Sequence, residues 1–265
     1  MLRVFAQTDV GKIREGNEDN FLVVNTTSEH QDMLPQILEF PSSKDGLILM
    51  VSDGMGGAAA GEVASLLAVQ TTMQEMQFEI PPMLKEFEDR LNEALHSANQ
   101  EIAAYADQNP RMYGMGATAT VAGFLENQLI IGQVGDSRAY RIRENDIQLL
   151  TRDQSFVNQL VEAGKISEEE AETHPRRNVI LQALGNQPNL KVAISKYELE
   201  NDDFILVCSD GLSGIVKKDE MLDAVCTSEN LAAACNTLID LANLRGGHDN
   251  ITIVLAQFFE TEHKK

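Results

Sequence analysis

Leu47-Ile48-Leu49-Met50-Val51-Ser52-Asp53-Gly54-Met55-Gly56-Gly57 sets a continuous apolar run of strand length directly before Ser-Asp-Gly and two more glycines. Cys208-Ser209-Asp210-Gly211-Leu212-Ser213-Gly214 repeats the pattern behind the apolar run Phe204–Cys208, and Val134-Gly135-Asp136-Ser137 is a looser third copy. A strand that runs into Asp fixes a carboxylate on a rigid element at the end of a sheet. The following Gly lets the backbone turn sharply and leaves its carbonyl free as a second hard oxygen donor. Asp-Gly is equally a hairpin-turn signal, so the repeat alone leaves both readings open.

Working outward, strand and helix signals come in blocks. Val4–Val10 alternates, and Phe21-Leu22-Val23-Val24 follows a polar turn rich in Gly and Asn. Thr26–Gly46, with Pro35 and Pro41, predicts a long surface loop in which Met33, Leu34, Ile37 and Leu38 can form a short helix. Val63, Leu66, Leu67, Gln70 and Met73 fall at helical spacing. Leu84, Phe87, Leu91, Ala94, Leu95, Ala98, Ile102 and Tyr105 hold one helical face for about six turns. Pro81-Pro82 between these helices predicts an antiparallel pair. Strands are expected over Gly116–Phe124, Gln128–Val134, Ser137–Ile142 and near Ile147–Leu150.

Residues 153–190 change character. Gln154–Ala163 reads as a helix ended by Gly164, and Ser167-Glu168-Glu169-Glu170 is a capping box opening another. The stretch is expected to be a small flap subdomain inserted in a single domain spanning residues 1–265. Strands return at Val192–Tyr197 and Phe204–Cys208. Leu231, Ala234, Cys235, Leu238 and Ala242 make a third helical face, stopped by Gly246-Gly247, and Ile251–Ala256 is a last strand. Runs of strands with helices grouped in pairs predict an α+β layered domain and not a doubly wound βαβ repeat.

The 265 residues, 43% of them hydrophobic, are enough for a substantial core, and 41 acidic against 21 basic residues leave a formal charge of −20. That balance argues against phosphate-backbone nucleic-acid binding and against attraction to an anionic bilayer. Trp is absent, so a base-stacking platform is poorly supplied as well. Cys208, Cys226 and Cys235 stand far apart, which points to free thiols in a reducing compartment. The N-terminus has no apolar signal-peptide core, and no window approaches the ~18 apolar residues of a spanning helix. A cytoplasmic location, no nucleic acid and no membrane partner are expected.

No GxxxxGK[ST], HExxH or GxSxG occurs, and the five histidines are scattered. Metal and acid–base chemistry must therefore come from carboxylates. Two further polar blocks supply them: Arg14-Glu15-Gly16-Asn17-Glu18-Asp19-Asn20 and Gly247-His248-Asp249-Asn250-Ile251-Thr252.

The order of these blocks resembles the metal-dependent Ser/Thr protein phosphatases of the PP2C (PPM) family, in particular its compact bacterial members. The resemblance covers essentially the whole chain. It runs through Thr8-Asp9-Val10-Gly11, Arg14, Asn17-Glu18-Asp19, Ser52-Asp53-Gly54-Met55-Gly56-Gly57 and Gly116-Ala117-Thr118-Ala119-Thr120. It continues with Val134-Gly135-Asp136-Ser137-Arg138-Ala139-Tyr140, Leu150-Thr151-Arg152-Asp153, His174-Pro175, Ala183-Leu184-Gly185, Ser209-Asp210-Gly211 and Asp249-Asn250-Ile251-Thr252.

This resemblance implies a four-layer αββα sandwich of two antiparallel sheets flanked by helix pairs, with the carboxylates meeting at one edge around two Mn²⁺ or Mg²⁺ ions. Asp53 would bridge the ions, the Gly54 carbonyl would hold one, and Asp210 and Asp249 the other. Glu18 would ligate directly or through water, Asp19 would orient a water, and Asp136 with Asp210 would form a third metal site. Arg14 would clamp the phosphate, while Thr118 and Asn250 would support the ligands from behind. Two like charges 4 Å apart repel by about 4 kcal/mol at an effective dielectric of 20, so such a cluster calls for cations, and all-oxygen donors suit Mg²⁺ or Mn²⁺ better than Zn²⁺.

The implied activity is one-step hydrolysis of phosphoserine and phosphothreonine in proteins by a metal-bridging hydroxide. The implied partners are phosphoprotein substrates and a bacterial-type Ser/Thr kinase, with the chain acting as a monomer. One departure stands out: Met55 occupies the position where many eukaryotic members carry His, so protonation of the leaving group is unassigned. A basic component, Arg152, Lys165, Arg176 and Arg177, could steer acidic segments toward the flap. The rival reading is a catalytically silent phosphoprotein-binding module of the same fold; the presence of Arg14, Asp53, Asp210 and Asp249 counts against it.

Overall fold

The computed structural model describes residues 1–27, 31–32, 37–40, 44–78, 82–186 and 188–260. Its first strands are β1 (Leu2–Asp9), β2 (Asp19–Asn25), β3 (Gln31–Asp32), β4 (Leu38–Phe40) and β5 (Leu47–Met55), followed by helices α1 (Ala58–Glu75) and α2 (Leu84–Gln108). Then come β6 (Gly116–Ala117), β7 (Ala119–Leu125), β8 (Gln128–Val134), β9 (Arg138–Arg143) and β10 (Asp146–Leu149). Residues 153–190 hold α3 (Phe156–Glu162) and α4 (Glu168–Glu172). The chain ends with β11 (Ala193–Glu198), β12 (Phe204–Cys208), α5 (Asp210–Ser213), α6 (Lys218–Thr227), α7 (Leu231–Leu244) and β13 (Ile251–Phe258).

Side-chain parity along the strands sets the layers, because successive residues of a strand face opposite sides. In β5, Leu47, Leu49 and Val51 point into a core shared with Leu2, Val4 and Ala6 of β1 and with Val254, Ala256 and Phe258 of β13. Its alternate residues Ile48 and Met50 join a second core with α1 and α2. Ile251, Ile253 and Leu255 of β13 face a third core with α6 and α7. Three cores between four layers give the αββα sandwich. They also explain why β5 reads as an unbroken apolar run: both of its faces are buried.

One sheet runs β10-β9-β12-β13-β1-β4 and the other β11-β8-β7-β5-β2-β3, with β6 paired to the end of β5. Every strand pairing among the described residues is antiparallel. Residues 150–192 thus connect an edge strand of one sheet to an edge strand of the other.

Several local expectations are corrected. The buried face of α1 is Ala60, Ala64, Ser65, Ala68, Val69 and Thr72, whereas Val63, Leu66, Leu67 and Met73 are half-buried and Gln70 is exposed. Small residues win this face because α1 packs close on β5. A Cβ on Gly54 would lie 2.0 Å from the Gly61 carbonyl oxygen. The same approach explains Gly54 itself, since β5 does not turn there but continues to Met55, and the chain turns at Gly56 and Gly57 with φ of 119° and 92°. The strand expected over Gly116–Phe124 is broken at Thr118, whose side chain is used elsewhere. Leu38 lies in strand β4, not in a helix; Met33 and Leu34 of that expectation fall outside the described residues. The helix expected from Gln154 starts at Phe156, capped by the Ser155 hydroxyl, and α6 had no counterpart in the sequence reading. The capping box at Ser167 is present. Among the described residues no helix is long and apolar enough to cross a membrane.

Candidate active site

The carboxylates named from the sequence come together at one edge of the sandwich, and strand register does much of the gathering. Asp19 at the start of β2 sits opposite Asp53 near the end of β5. Thr8 of β1 sits opposite Thr252 of β13, and the Ser209 amide donates to the Thr252 carbonyl at 3.1 Å. This places Asp210, in the first turn of α5, and Asp249, just ahead of β13, at the same edge. Asp136 lies in the β8–β9 turn, close enough to Asp210 and Asp53 for their charges to act on one another.

The cluster is electrostatically strained without cations. Burial, reinforced by the charge of Asp210 and then Asp249, pushes the Asp19 carboxyl up to about 7. Burial and then Asp210 push Asp136 to about 8. Burial, followed by Asp19, Asp210, Asp136 and Asp249, raises Asp53 well above the usual carboxylate range. Asp210 is raised by burial and by Asp249, and Glu18 by burial against the opposing pull of Arg14.

Two of these groups also carry a buried oxygen with no hydrogen-bond partner, Oδ1 of Asp136 and Oδ1 of Asp210. Orphaned carboxylate oxygens in an all-oxygen cluster suit a hard divalent cation. Among the described residues no three Asp, Glu, His or Cys side chains already close on one point as a ligand set, so the fit is one of donor chemistry and neighbourhood.

The supporting contacts are specific. The Asp53 amide donates to Thr118 Oγ1 at 2.9 Å, and that hydroxyl also meets Ser137 Oγ at 2.8 Å. Buried Asn250 donates from Nδ2 to the carbonyls of Val10 and Gly16 and accepts the Glu18 amide on Oδ1 at 2.8 Å. The Glu18 carbonyl in turn accepts from the Gly54 amide and the Ser65 hydroxyl. Arg14 is half exposed; its Nη2 donates to Asp249 Oδ2 at 2.7 Å, and its Nη1 stands 3.9 Å from Glu18 Oε1.

Sequence reasoning missed Ser209, whose hydroxyl donates to Asp19 Oδ2 at 2.7 Å, and Thr252, whose amide donates to Ser209 Oγ at 3.0 Å and whose hydroxyl meets Thr8 Oγ1 at 2.6 Å. Ser209 stood inside a quoted motif, but nothing local says that its hydroxyl turns toward β2. Gly61 was also missed: a Cβ there would lie 1.9 Å from Glu18 Oε2. His174 packs its ring against Phe156, and Arg152, one of the four cations assigned to steering, is tied to Glu162.

The family model for protein phosphatase 2C matches residues 28–245. The serine/threonine phosphatase stp of Listeria monocytogenes serovar 1/2a is 36% identical over 95% of this chain and 94% of its own. The chain belongs to the protein phosphatase 2C family. Among solved structures, the serine/threonine phosphatase Stp1 from Staphylococcus aureus superposes with a TM-score of 0.86 at 32% identity, covering 97% of this chain and 95% of that one. The catalytic domain of the serine/threonine protein phosphatase PstP in complex with 2 manganese ions gives 0.80 at 33% identity, over 97% and 98%. Asp53, Asp136 and Asp210 lie inside the matched protein phosphatase 2C segment. Arg14, Glu18, Asp19 and Asp249 flank it and reach the same edge through the β1–β13 and β2–β5 pairings.

Proposed function

We propose that the chain hydrolyses phosphoserine and phosphothreonine in proteins with the help of Mn²⁺ or Mg²⁺. The observation that carries this reading is the buried carboxylate edge with a half-exposed arginine at its rim. Membership of the protein phosphatase 2C family and the likeness to a manganese-bound PstP catalytic domain support it. Asp53, the Gly54 carbonyl, Asp210 and Asp249, with Glu18, are the groups that would hold two ions, and Asp136 with Asp210 a third. Bound there, the ions supply Lewis-acid polarisation and a water that ionises near neutral pH.

The chain's own residues do the rest. Arg14 is free to pivot from Asp249 onto phosphate oxygens, where its planar guanidinium gives paired hydrogen bonds and neutralises developing charge. Asp19, fixed by Ser209, accepts a hydrogen bond from the attacking water and orients it. Met55 has no proton to give, so the leaving alkoxide takes its proton from water at the same edge. A kinase that phosphorylates the same substrates is the implied partner, and the chain is taken to act in the cytoplasm as a monomer, built as one domain with the flap at residues 153–190.

The test is phosphate release from a phosphothreonine peptide with Mn²⁺, with Mg²⁺ and with EDTA, run beside Asp210→Asn. Metal-dependent turnover that is lost in EDTA and in the variant supports the reading. Folded protein with no turnover in either metal would instead favour a silent phosphoprotein-binding module.

A further inference from the structure

A groove of about 610 Å³ lies between α2 and the chain at residues 185–190, within the ~300–1,000 Å³ typical of binding clefts. Its long wall is one face of α2. His96, Asn99, Ala103 and Asp107 recur there at helical spacing, and at 1.5 Å per residue they span about 16 Å. Asn186, Pro188 and buried Leu190 stand opposite, and Tyr113 with Gly114 closes one end. Among the described lining residues there is no lysine or arginine, and Asp107 is the one carboxylate. Tyr113 is 87% exposed, more than any other large hydrophobic side chain among the described residues.

The closed end abuts the carboxylate edge. Met55, two residues beyond Asp53 in β5, pairs with Gly116 of β6, and Ala117 exchanges both backbone hydrogen bonds with Leu184, at 3.2 and 2.8 Å. Two strand spacings of about 4.8 Å therefore put Leu184 about 10 Å from β5. Gly116 sits at the step between edge and groove: a Cβ there would lie 2.6 Å from Asn186 Nδ2 and 3.5 Å from Met55 Cγ. A Cβ on Gly56 would lie 2.9 Å from Met115 Cα, which seats the loop bearing Tyr113 on the turn that follows Asp53. Gly57 beside it has nothing within 4 Å of its Cβ position, so this surface is open backbone. An extended chain advances about 3.3 Å per residue. A polypeptide whose phosphorylated residue lies at the edge thus reaches the groove after about three residues, and about five more fill it.

The lining suits such a chain. Exposed Gln100 on the α2 wall and Asn186 opposite offer amide groups to a main chain, while Ala103 and Ala104 leave room for its side chains. An acidic side chain would meet Asp107 with no cation to offset the repulsion. We propose that this groove holds an uncharged, extended segment of the substrate polypeptide, about three to eight residues from the phosphorylated one, with Tyr113 as its anchor. This rests on the carboxylate edge being the phosphatase site.

The test compares, in Mn²⁺, a capped tripeptide centred on phosphothreonine with peptides lengthened by about eight uncharged residues on the N-terminal or the C-terminal side. One of the two lengthened peptides should show a KM about 10-fold below that of the tripeptide at similar kcat. Tyr113→Ala should abolish most of that gain, and so should Ala104→Gln, which fills the groove from an exposed helical position. Neither should alter turnover of p-nitrophenyl phosphate, which is too small to reach the groove. Glu in place of the uncharged residues should abolish the gain as well. Because the chain contains no Trp, a Trp placed about five residues from the phosphothreonine reports its own burial. Its emission should shift to the blue on binding to EDTA-treated protein and stay unshifted with Tyr113→Ala.

If the tripeptide and both lengthened peptides are turned over with one KM, the groove takes no part in substrate binding and the phosphatase reading stands. If the gain in KM survives both variants, it arises elsewhere and the assignment to the groove is overturned. If Mn²⁺ supports turnover of none of these substrates, the proposed function fails and this inference with it.

Discussion

The Ser209 hydroxyl donates to Asp19 Oδ2 at 2.7 Å across a separation of 190 residues. Ser209 Oγ also accepts the Thr252 amide at 3.0 Å, so Ser209 links β13 to the carboxylate at the start of β2. Ser209→Ala removes both bonds. The expected result is a fall in kcat of roughly 10-fold with little change in KM. Loss of the buried amide's acceptor should cost about 1–3 kcal/mol of stability. Steady-state kinetics and thermal unfolding of the same sample check both, and an unchanged kcat would remove Ser209 from the positioning of Asp19.

The carboxylate edge makes the stability of metal-free protein depend on pH in a definite direction. Asp19 and Asp136 titrate near 7 and 8 in the fold, and Asp53 is also raised, against an ordinary value of 3.8. Between about pH 4 and pH 8 the native state therefore binds more protons than the unfolded chain, and stability falls as pH rises. EDTA-treated protein should melt at a higher temperature at pH 5.5 than at pH 8.5. Mn²⁺ should rescue the alkaline sample most, because it binds the ionised carboxylates. A melting temperature that climbs with pH in EDTA would contradict the strained cluster.

What the sequence made legible was whatever is carried by contrast within a short window. The α2 face stood out because Phe87, Leu91 and Leu95 alternate with charge, and all three are fully buried. Asp53 and Asp210 stood out because each is held in a local strand–Asp–Gly pattern. By contrast, the inner face of α1 is Ala60, Ala64, Ser65 and Ala68, and small residues chosen for close approach give no hydrophobic signal. The 10-residue α6 buries only Met221, Ala224 and Val225, too few to mark a face. Contacts such as Ser209 with Asp19 exist only after strands distant in sequence have paired, so no local pattern records them.

Gly61 offers a test of how tightly Glu18 is placed. A Cβ at this helical position would stand 1.9 Å from Glu18 Oε2, and the Glu18 backbone is pinned by Asn250, Gly54 and Ser65. The carboxylate must therefore swing away from α1 in Gly61→Ala. Although Ala favours helix over Gly by up to ~1 kcal/mol, overpacking of this kind costs about 1–3 kcal/mol. The variant should be no more stable than the parent and should bind Mn²⁺ more weakly by calorimetry. A stabilised variant with intact Mn²⁺ affinity would show that Glu18 has room to spare and no fixed part in holding metal.

Arg14 separates substrate binding from metal binding. Its guanidinium is held by a carboxylate, Asp249, that the proposed function gives to an ion, so the arginine competes with metal for Asp249 while offering its remaining donors to phosphate. Arg14→Ala should lower turnover of a phosphothreonine peptide by ~100-fold, in the range for removing one donor to a developing oxyanion. Mn²⁺ affinity should be unchanged or tighter, because nothing then opposes the ion at Asp249. Arg14→Lys keeps the charge but loses the planar fork, and should recover only part of the turnover. Parallel kinetics and Mn²⁺ calorimetry on the two variants distinguish a phosphate clamp from a structural tie. If Arg14→Ala loses Mn²⁺ affinity and turnover together, the arginine serves to hold the Asp249 loop and the clamp must lie elsewhere.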